Sequence, residues 1–290
     1  MRMSVRKAVL PVAGFGTRFL PATKSSSKEM LPLVDKPLIH YAVKDAVDAG
    51  IEQIIFITGR GKRAIEDYFD ISFELEYHLK FQGKEDLIEE MRRISDMADF
   101  VYIRQKEPKG LGHAVLRAKD VVGDEPFAVI LADDVIECKT SGTAQLMDIF
   151  NRYHCSVIGL ELVPEDEVEK YGIVDGKEIE NGVYKLETFV EKPKKENAPS
   201  NMAIIGRYIF TPRIFEELEK TPVGTKGEIQ LTDAILSLSK QEVIYGKIME
   251  GKRFDCGSKD GFLKATVEFA LKDPEVGEEF KEYLRKVVKC

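Results

Sequence analysis

Short apolar runs alternate with helically spaced apolar residues from Ala8 to Ala132, and that alternation leaves few folds open. Residues 8–12 (Ala-Val-Leu-Pro-Val) form a continuous apolar run, as expected of a strand buried on both faces. Ile39, Ala42, Val43, Ala46 and Val47 then recur at helical spacing, and Gly50 follows as a stop. The pattern continues as a strand at 53–57, a helix at 63–69 and a strand at 100–104. Leu111, Ala114, Val115 and Ala118 line one face of a further helix, and a strand at 127–132 ends in Asp133-Asp134. Strand, helix, strand, helix predicts a parallel sheet built from right-handed crossovers.

Beyond residue 155 the pattern changes. Strands are predicted at 156–163 and 203–210, with strand-like segments at 172–190 around Asn181-Gly182, a strong hairpin signal. Helices are predicted at 213–218, 227–239, 258–271 and 275–288, with Pro274 breaking the last two. The economical reading is one α/β domain over residues 1–290. It has a Rossmann-like, mostly parallel sheet flanked by helices, an antiparallel β insert and a C-terminal helical segment. Its parts are expected at about 6–155, 156–257 and 258–290.

Composition narrows the function. The formal charge is −7, so there is no general attraction to nucleic acid, and an anionic ligand needs a local basic pocket. No apolar run is long enough for a membrane span, and the N-terminal run is too short for a secretion signal. Cys138, Cys155, Cys256 and Cys290 lack CxxC spacing, which reads as reduced, cytoplasmic and without a zinc site.

The first predicted strand runs into Ala13-Gly14-Phe15-Gly16-Thr17-Arg18, with Lys24 and Lys28 close behind. Glycines let backbone N–H groups approach phosphate oxygens, and the cations offset their charge. Taken alone, a Gly-x-Gly pair is better read as a structural turn. A dinucleotide fingerprint fails, because Phe19 stands where a third small residue is needed and Pro21 denies the helix. A Walker loop fails too, since Gly61-Lys62-Arg63 lacks the hydroxyl.

Several separated motifs together are more specific. Gly14-Phe15-Gly16-Thr17-Arg18 is followed by Lys28-Glu29-Met30-Leu31-Pro32 and Asp35-Lys36-Pro37. Farther on come Gly110-Leu111-Gly112-His113-Ala114-Val115, Val190-Glu191-Lys192-Pro193 and Gly227-Glu228-Ile229-Gln230-Leu231-Thr232-Asp233-Ala234. From about Lys7 to Phe280 the chain resembles the sugar-nucleotide pyrophosphorylases, and within them the bacterial UTP–glucose-1-phosphate uridylyltransferases. Two places depart from that pattern: Ser27 where a proline is usual, and Leu131-Ala132 where Leu-Pro is common before Asp133.

The resemblance implies Mg²⁺-assisted formation of UDP-glucose and pyrophosphate from UTP and glucose 1-phosphate, by a cytoplasmic homo-oligomer with no nucleic-acid or membrane partner. It makes the first part nucleotide-binding and the second sugar-binding. Arg18 and Lys28 would clamp the triphosphate, with Ala13, Gly14 and Gly16 giving backbone contacts. Gln105 and Gly110 would read the uracil edge, and Asp133 and Asp255 would hold the metal. Lys192 would hold the sugar phosphate, while Glu191 and the Gly172 backbone take sugar hydroxyls. No role follows for Asp134 or for the 227–234 motif. His113 is read as packed rather than catalytic. The alternatives are a thymidylyltransferase and a non-catalytic sugar-nucleotide-binding module, which would be free to lose Asp133, Asp255 or Lys192.

Overall fold

The computed structural model describes residues 4–224 and 227–288. Its strands are, in order, β1 (Lys7–Pro11), a two-residue ladder of β2 (Pro32–Leu33) and β3 (Lys36–Pro37), β4 (Gln53–Thr58), β5 (Asp99–Arg104) and β6 (Phe127–Ile130). They continue as β7 (Asp134–Glu137), β8 (Val157–Leu162), β9 (Gly172–Glu180), β10 (Val183–Glu191), β11 (Met202–Phe210), β12 (Ile244–Ile248) and β13 (Lys252–Asp255). Nine of them form one sheet in the order β5-β4-β1-β6-β11-β8-β12-β10-β9.

The sheet is mixed, which corrects the expectation of a mostly parallel one. β5, β4, β1 and β6 run parallel, as the strand–helix alternation requires. β11 then lies antiparallel to both β6 and β8, and β10 is antiparallel to β12 and β9. The antiparallel strands therefore extend the same sheet instead of forming a separate insert. Asn181-Gly182 explains one pairing, since Gly182 at φ 70° closes the β9–β10 hairpin. β11 is buried at all nine positions and joins the two halves, a placement that only its long-range partners decide. β7 and β13 pair with each other outside the main sheet.

Helices Leu38–Asp48, Arg63–Phe69 and Gly110–Leu116 stand where the apolar spacing predicts them, and Lys259–Lys272 and Gly277–Val288 close the chain. The helix expected at 227–239 is shorter, Leu231–Leu238. Three longer helices have no counterpart in the sequence reading: Phe73–Phe81, Glu85–Ser95 and Gly142–Tyr153. The first buries only Leu79 while Phe73, Tyr77 and Phe81 face outward, so its apolar residues do not mark a core face. β6 also stops at Ile130 rather than continuing to Ala132, which puts Asp133 in a turn. Cys138, Cys155 and Cys256 are free thiols, and Cys290 lies outside the described residues.

One packing detail makes stability depend on pH. His40 is buried on helix Leu38–Asp48, its Nδ1 3.0 Å from the Tyr68 hydroxyl, and burial pushes its pKa down to about 4. Between pH 6.5 and 4 the unfolded chain binds a proton at His40 that the folded chain does not. Stability should therefore fall as pH drops through that window, by up to roughly 3 kcal/mol. Urea unfolding of the parent and His40→Gln at pH 7 and pH 4.5 would check it, and equal pH slopes would refute it.

Candidate active site

The glycine loop leaves the C-terminal end of β1, which lies inside the parallel half between β4 and β6. Ala13 packs against Gly59, where an added Cβ would lie 3.0 Å from the Ala13 carbonyl oxygen. Gly16 has φ 64°, and a Cβ there would meet the Lys28 side chain at 3.0 Å. The second glycine is thus required both by its left-handed backbone and by the close passage of Lys28. Gly14 faces open space.

Lys28 lies on a short turn pinned from below. Its neighbours Ser27 and Glu29 are buried, and Lys62 Nζ donates to Glu29 Oε2 at 2.7 Å and to Ser27 Oγ at 3.1 Å. Ser27 in turn donates to Glu29. The hydroxyl therefore ties down the turn at one of the positions that depart from the resembled pattern. Lys62, rejected as a Walker lysine, proves to be a buried counter-ion of this turn.

Lys28 Nζ reaches forward to Asp133 Oδ2 at 2.6 Å, both side chains being about a quarter exposed. Burial disfavours either charge, but Lys28 holds the Asp133 carboxyl below the usual range. Asp133 and Glu29 hold the Lys28 ammonium above its usual value. Arg207, fully buried on β11, brackets the Asp133 turn. It donates to the Leu131, Gly206 and Asp134 carbonyls and to Asp45 Oδ2, at 2.9–3.2 Å.

Asp255 ends β13 and accepts the Gly257 N–H at 3.0 Å. A Cβ on Gly257 would sit 2.8 Å from Asp133 Oδ2, 3.0 Å from Asp255 Oδ1 and 3.3 Å from Arg18 Nη1. Three charged groups from distant parts of the chain thus close around one glycine that has no room for a side chain. Arg18 Nη1 also donates to the Gly257 carbonyl at 3.2 Å. The Cys256 N–H donates to the Asp133 carbonyl at 2.8 Å, which fixes the two acidic turns to each other. Asp134 points away, to Arg253 and the Gly206 N–H. Among the described residues no cluster of three or more His, Cys, Asp or Glu is built to hold a metal by side chains alone. Two convergent carboxylates fit Mg²⁺, which takes one or two protein carboxylates and completes its shell with water and phosphate oxygens.

Arg18, Asp133 and Asp255 line a cavity of about 1360 Å³ whose other wall carries Gly172, Glu191 and Lys192. Lys192 leaves β10 with φ 44°, a left-handed conformation rare for lysine, and its N–H donates to the Tyr171 carbonyl at 3.0 Å. That turn aims an exposed ammonium along the cavity, 3.2 Å from Glu191 Oε1. The Thr232 hydroxyl donates to Glu191 Oε2 at 2.7 Å, and a Cβ on Gly172 would crowd Thr232 Oγ1 at 3.2 Å and Glu191 Oε2 at 3.3 Å. The 227–234 motif therefore braces the site: Thr232 orients Glu191, and Ile229 is hydrogen-bonded to Gly112 and Lys109.

Gln105 and Gly110 are neighbours, but neither is among the residues lining that cavity. Gln105 Nε2 donates to the Gly110 carbonyl at 3.2 Å and lies 2.8 Å from His113 Nδ1. A carbonyl can only accept, so the amide nitrogen faces inward and the Gln105 side chain offers its acceptor oxygen outward. His113 Nδ1 accepts, which places the ring proton on Nε2. Burial, with Lys109 and Arg117, lowers the His113 pKa. His113 is thus a neutral packing residue.

The sequence reading missed Gly257, Thr232 and Arg253. The first two had a signal, since each lies within three residues of an assigned acid or inside a named motif. Arg253 had none.

The chain is similar to characterised proteins along nearly its whole length. Residues 7–271 match the nucleotidyl transferase family model. A UTP–glucose-1-phosphate uridylyltransferase of Bacillus subtilis strain 168 is 54% identical over 280 residues, which is 97% of this chain and 96% of that one. The crystal structure of a UDP-glucose pyrophosphorylase complexed with UDP-glucose superposes with a TM-score of 0.86 at 47% identity, covering 93% of this chain and all of the other. A UTP-bound UGPase from Acinetobacter baumannii gives 0.90 at 44% identity, covering 97% and 99%.

Proposed function

The chain belongs to the nucleotidyl transferase family, among the UTP–glucose-1-phosphate uridylyltransferases, and from that premise we propose that it joins UTP and glucose 1-phosphate into UDP-glucose and pyrophosphate with Mg²⁺. The observation that carries this reading is the convergence of Asp133, Asp255 and Arg18 on Gly257, across one cavity from Lys192 and Glu191.

A sugar phosphate has its second pKa at about 6, so the nucleophile is already ionised near neutral pH and needs no general base. What opposes reaction is the approach of one anion to the α-phosphorus of another. Catalysis then consists of positioning and positive charge. Lys192 holds the attacking phosphate, and Glu191, oriented by Thr232, accepts from sugar hydroxyls beside the Gly172 backbone. Arg18 and Lys28 face the triphosphate, with Ala13, Gly14 and Gly16 contributing main-chain contacts. Gln105 offers its carbonyl to a base N–H, next to Gly110. Asp133 and Asp255 would hold Mg²⁺, which when bound offsets phosphate charge. In the structure Lys28 neutralises Asp133; a metal held by Asp133 and Asp255 would supply that positive charge instead and leave the Lys28 ammonium available to triphosphate oxygens. We place the enzyme in the cytoplasm as a homo-oligomer, on the strength of the resemblance.

The test is pyrophosphate release with UTP and dTTP, each offered glucose 1-phosphate and galactose 1-phosphate. UTP with glucose 1-phosphate should be turned over fastest. A preference for dTTP would make the protein a thymidylyltransferase, and no turnover with any pair would make it a binding module.

A further inference from the structure

Arg253 takes no part in the mechanism above, yet it ties the two walls of the cavity together. Its side chain is only 9% exposed, and its fork and its flat face are all engaged. Nε donates to Asp134 Oδ1 at 2.6 Å, and Nη2 lies 2.5 Å from the same oxygen. Nη1 donates to Glu161 Oε2 on β8 at 2.8 Å. The guanidinium carbon lies 5.2 Å from the centre of the Tyr171 ring, close enough for a cation–π contact.

These partners belong to three parts of the site. Asp134 follows Asp133 directly, and Arg253 itself stands two residues before Asp255. Tyr171 precedes Gly172, and its carbonyl accepts the Lys192 N–H. β7 and β13, which flank the carboxylate pair, form their own two-stranded sheet, with no ladder among the described residues to the nine-stranded one. Beyond the short connections 131–133 and 249–251 to β6 and β12, their alignment with the sugar-phosphate wall thus rests on side chains. Arg253 bridges to Glu161 and Tyr171, and Asp134 Oδ2 accepts the Gly206 N–H on β11 at 2.9 Å.

We propose that Arg253, with Tyr171 under its flat face, is the positioning residue that sets the metal carboxylates in register with the turn bearing Lys192. This rests on the reading that Lys192 and Glu191 take glucose 1-phosphate. In-line transfer is sensitive to such register, because a misplacement of about 1 Å costs on the order of a hundredfold. A lysine keeps the charge but lacks both the fork and the plane.

Arg253→Lys and Tyr171→Leu test the proposal, the second without stripping the counter-charge from Asp134 and Glu161. Each should lower kcat by about ten- to a hundredfold. The double variant should be little worse than Arg253→Lys alone, since the ring contact that Tyr171→Leu removes is already lost with the guanidinium plane. UDP-glucose spans both subsites and UTP spans one. In calorimetry with Mg²⁺ the dissociation constant for UDP-glucose should therefore rise about tenfold or more, while that for UTP stays within threefold. Kcat within threefold of the parent in both singles, or equal weakening of UTP and UDP-glucose, overturns the proposal. Lys192→Ala in the same assays separates the premise from the inference. If it leaves glucose 1-phosphate use unchanged, the sugar-site reading fails. If it alone weakens UDP-glucose, that reading stands and the role of Arg253 falls.

Discussion

Asp133→Asn and Asp255→Asn are each expected to lower kcat by about a hundredfold or more, and the double substitution should cost little beyond the worse single. The expectation follows from geometry. Both carboxylates face the same glycine, so one ion held between them would be lost through either change. Non-additivity is the mark of residues acting as a unit. The two singles should differ in stability. Asp255→Asn leaves the Lys28–Asp133 pair intact, whereas Asp133→Asn takes the partner from Lys28. Because that pair is about a quarter exposed, the difference should be about 1 kcal/mol. Raised Mg²⁺ should partly rescue turnover in the singles. Kcat across a Mg²⁺ titration, with urea unfolding alongside, would check all three points. Fully additive losses that ignore Mg²⁺ would show that the carboxylates do not share a metal.

Lys192→Ala should lower kcat/KM for glucose 1-phosphate by about a hundredfold or more, with little change in UTP binding. Its ion pair to Glu191 is well exposed on the lysine side, so the fold should hardly notice the loss. The backbone adds a second reading. At φ 44° this residue occupies a conformation that glycine adopts without strain. Lys192→Gly should therefore be as inactive as Lys192→Ala yet more stable than it, by about 1 kcal/mol. Stability and activity moving in opposite directions would identify a strained turn kept for the ammonium it presents. Activity within threefold of the parent in either variant would remove Lys192 from the mechanism.

The charged groups proposed for the mechanism are named from the joint resemblance of separated motifs: taken singly, Arg18 and Lys28 read as loop cations, Asp133 as a turn cap and Glu191-Lys192-Pro193 as an exposed turn. Contacts between remote segments leave no such trace. Gln105 can be named as a base reader, but the use of its amide nitrogen by Gly110 and His113 is a contact between folded segments. Asp134 has no role readable from the sequence because its partners, Arg253 and Gly206, are remote in the chain. The helix Phe73–Phe81 escapes notice because its apolar residues at 73, 75, 77, 79 and 81 alternate as a strand's would, and only Leu79 is buried to favour the helical reading.

By itself the sequence determined the α/β class, the parallel pairing of the first half and the β9–β10 hairpin. Each of these follows from backbone period or glycine conformation, properties that neighbours in the chain already express. Tertiary structure alone decided that β11 would cross between β6 and β8 and make one mixed sheet of two expected parts. It also decided that β13 would pair with β7 and carry Asp255 to Asp133. Antiparallel pairing between distant strands has no local code. It is settled by which buried faces and which unsatisfied polar groups find each other, and here Arg207, Arg253 and Asp134 are among the groups that had to be satisfied.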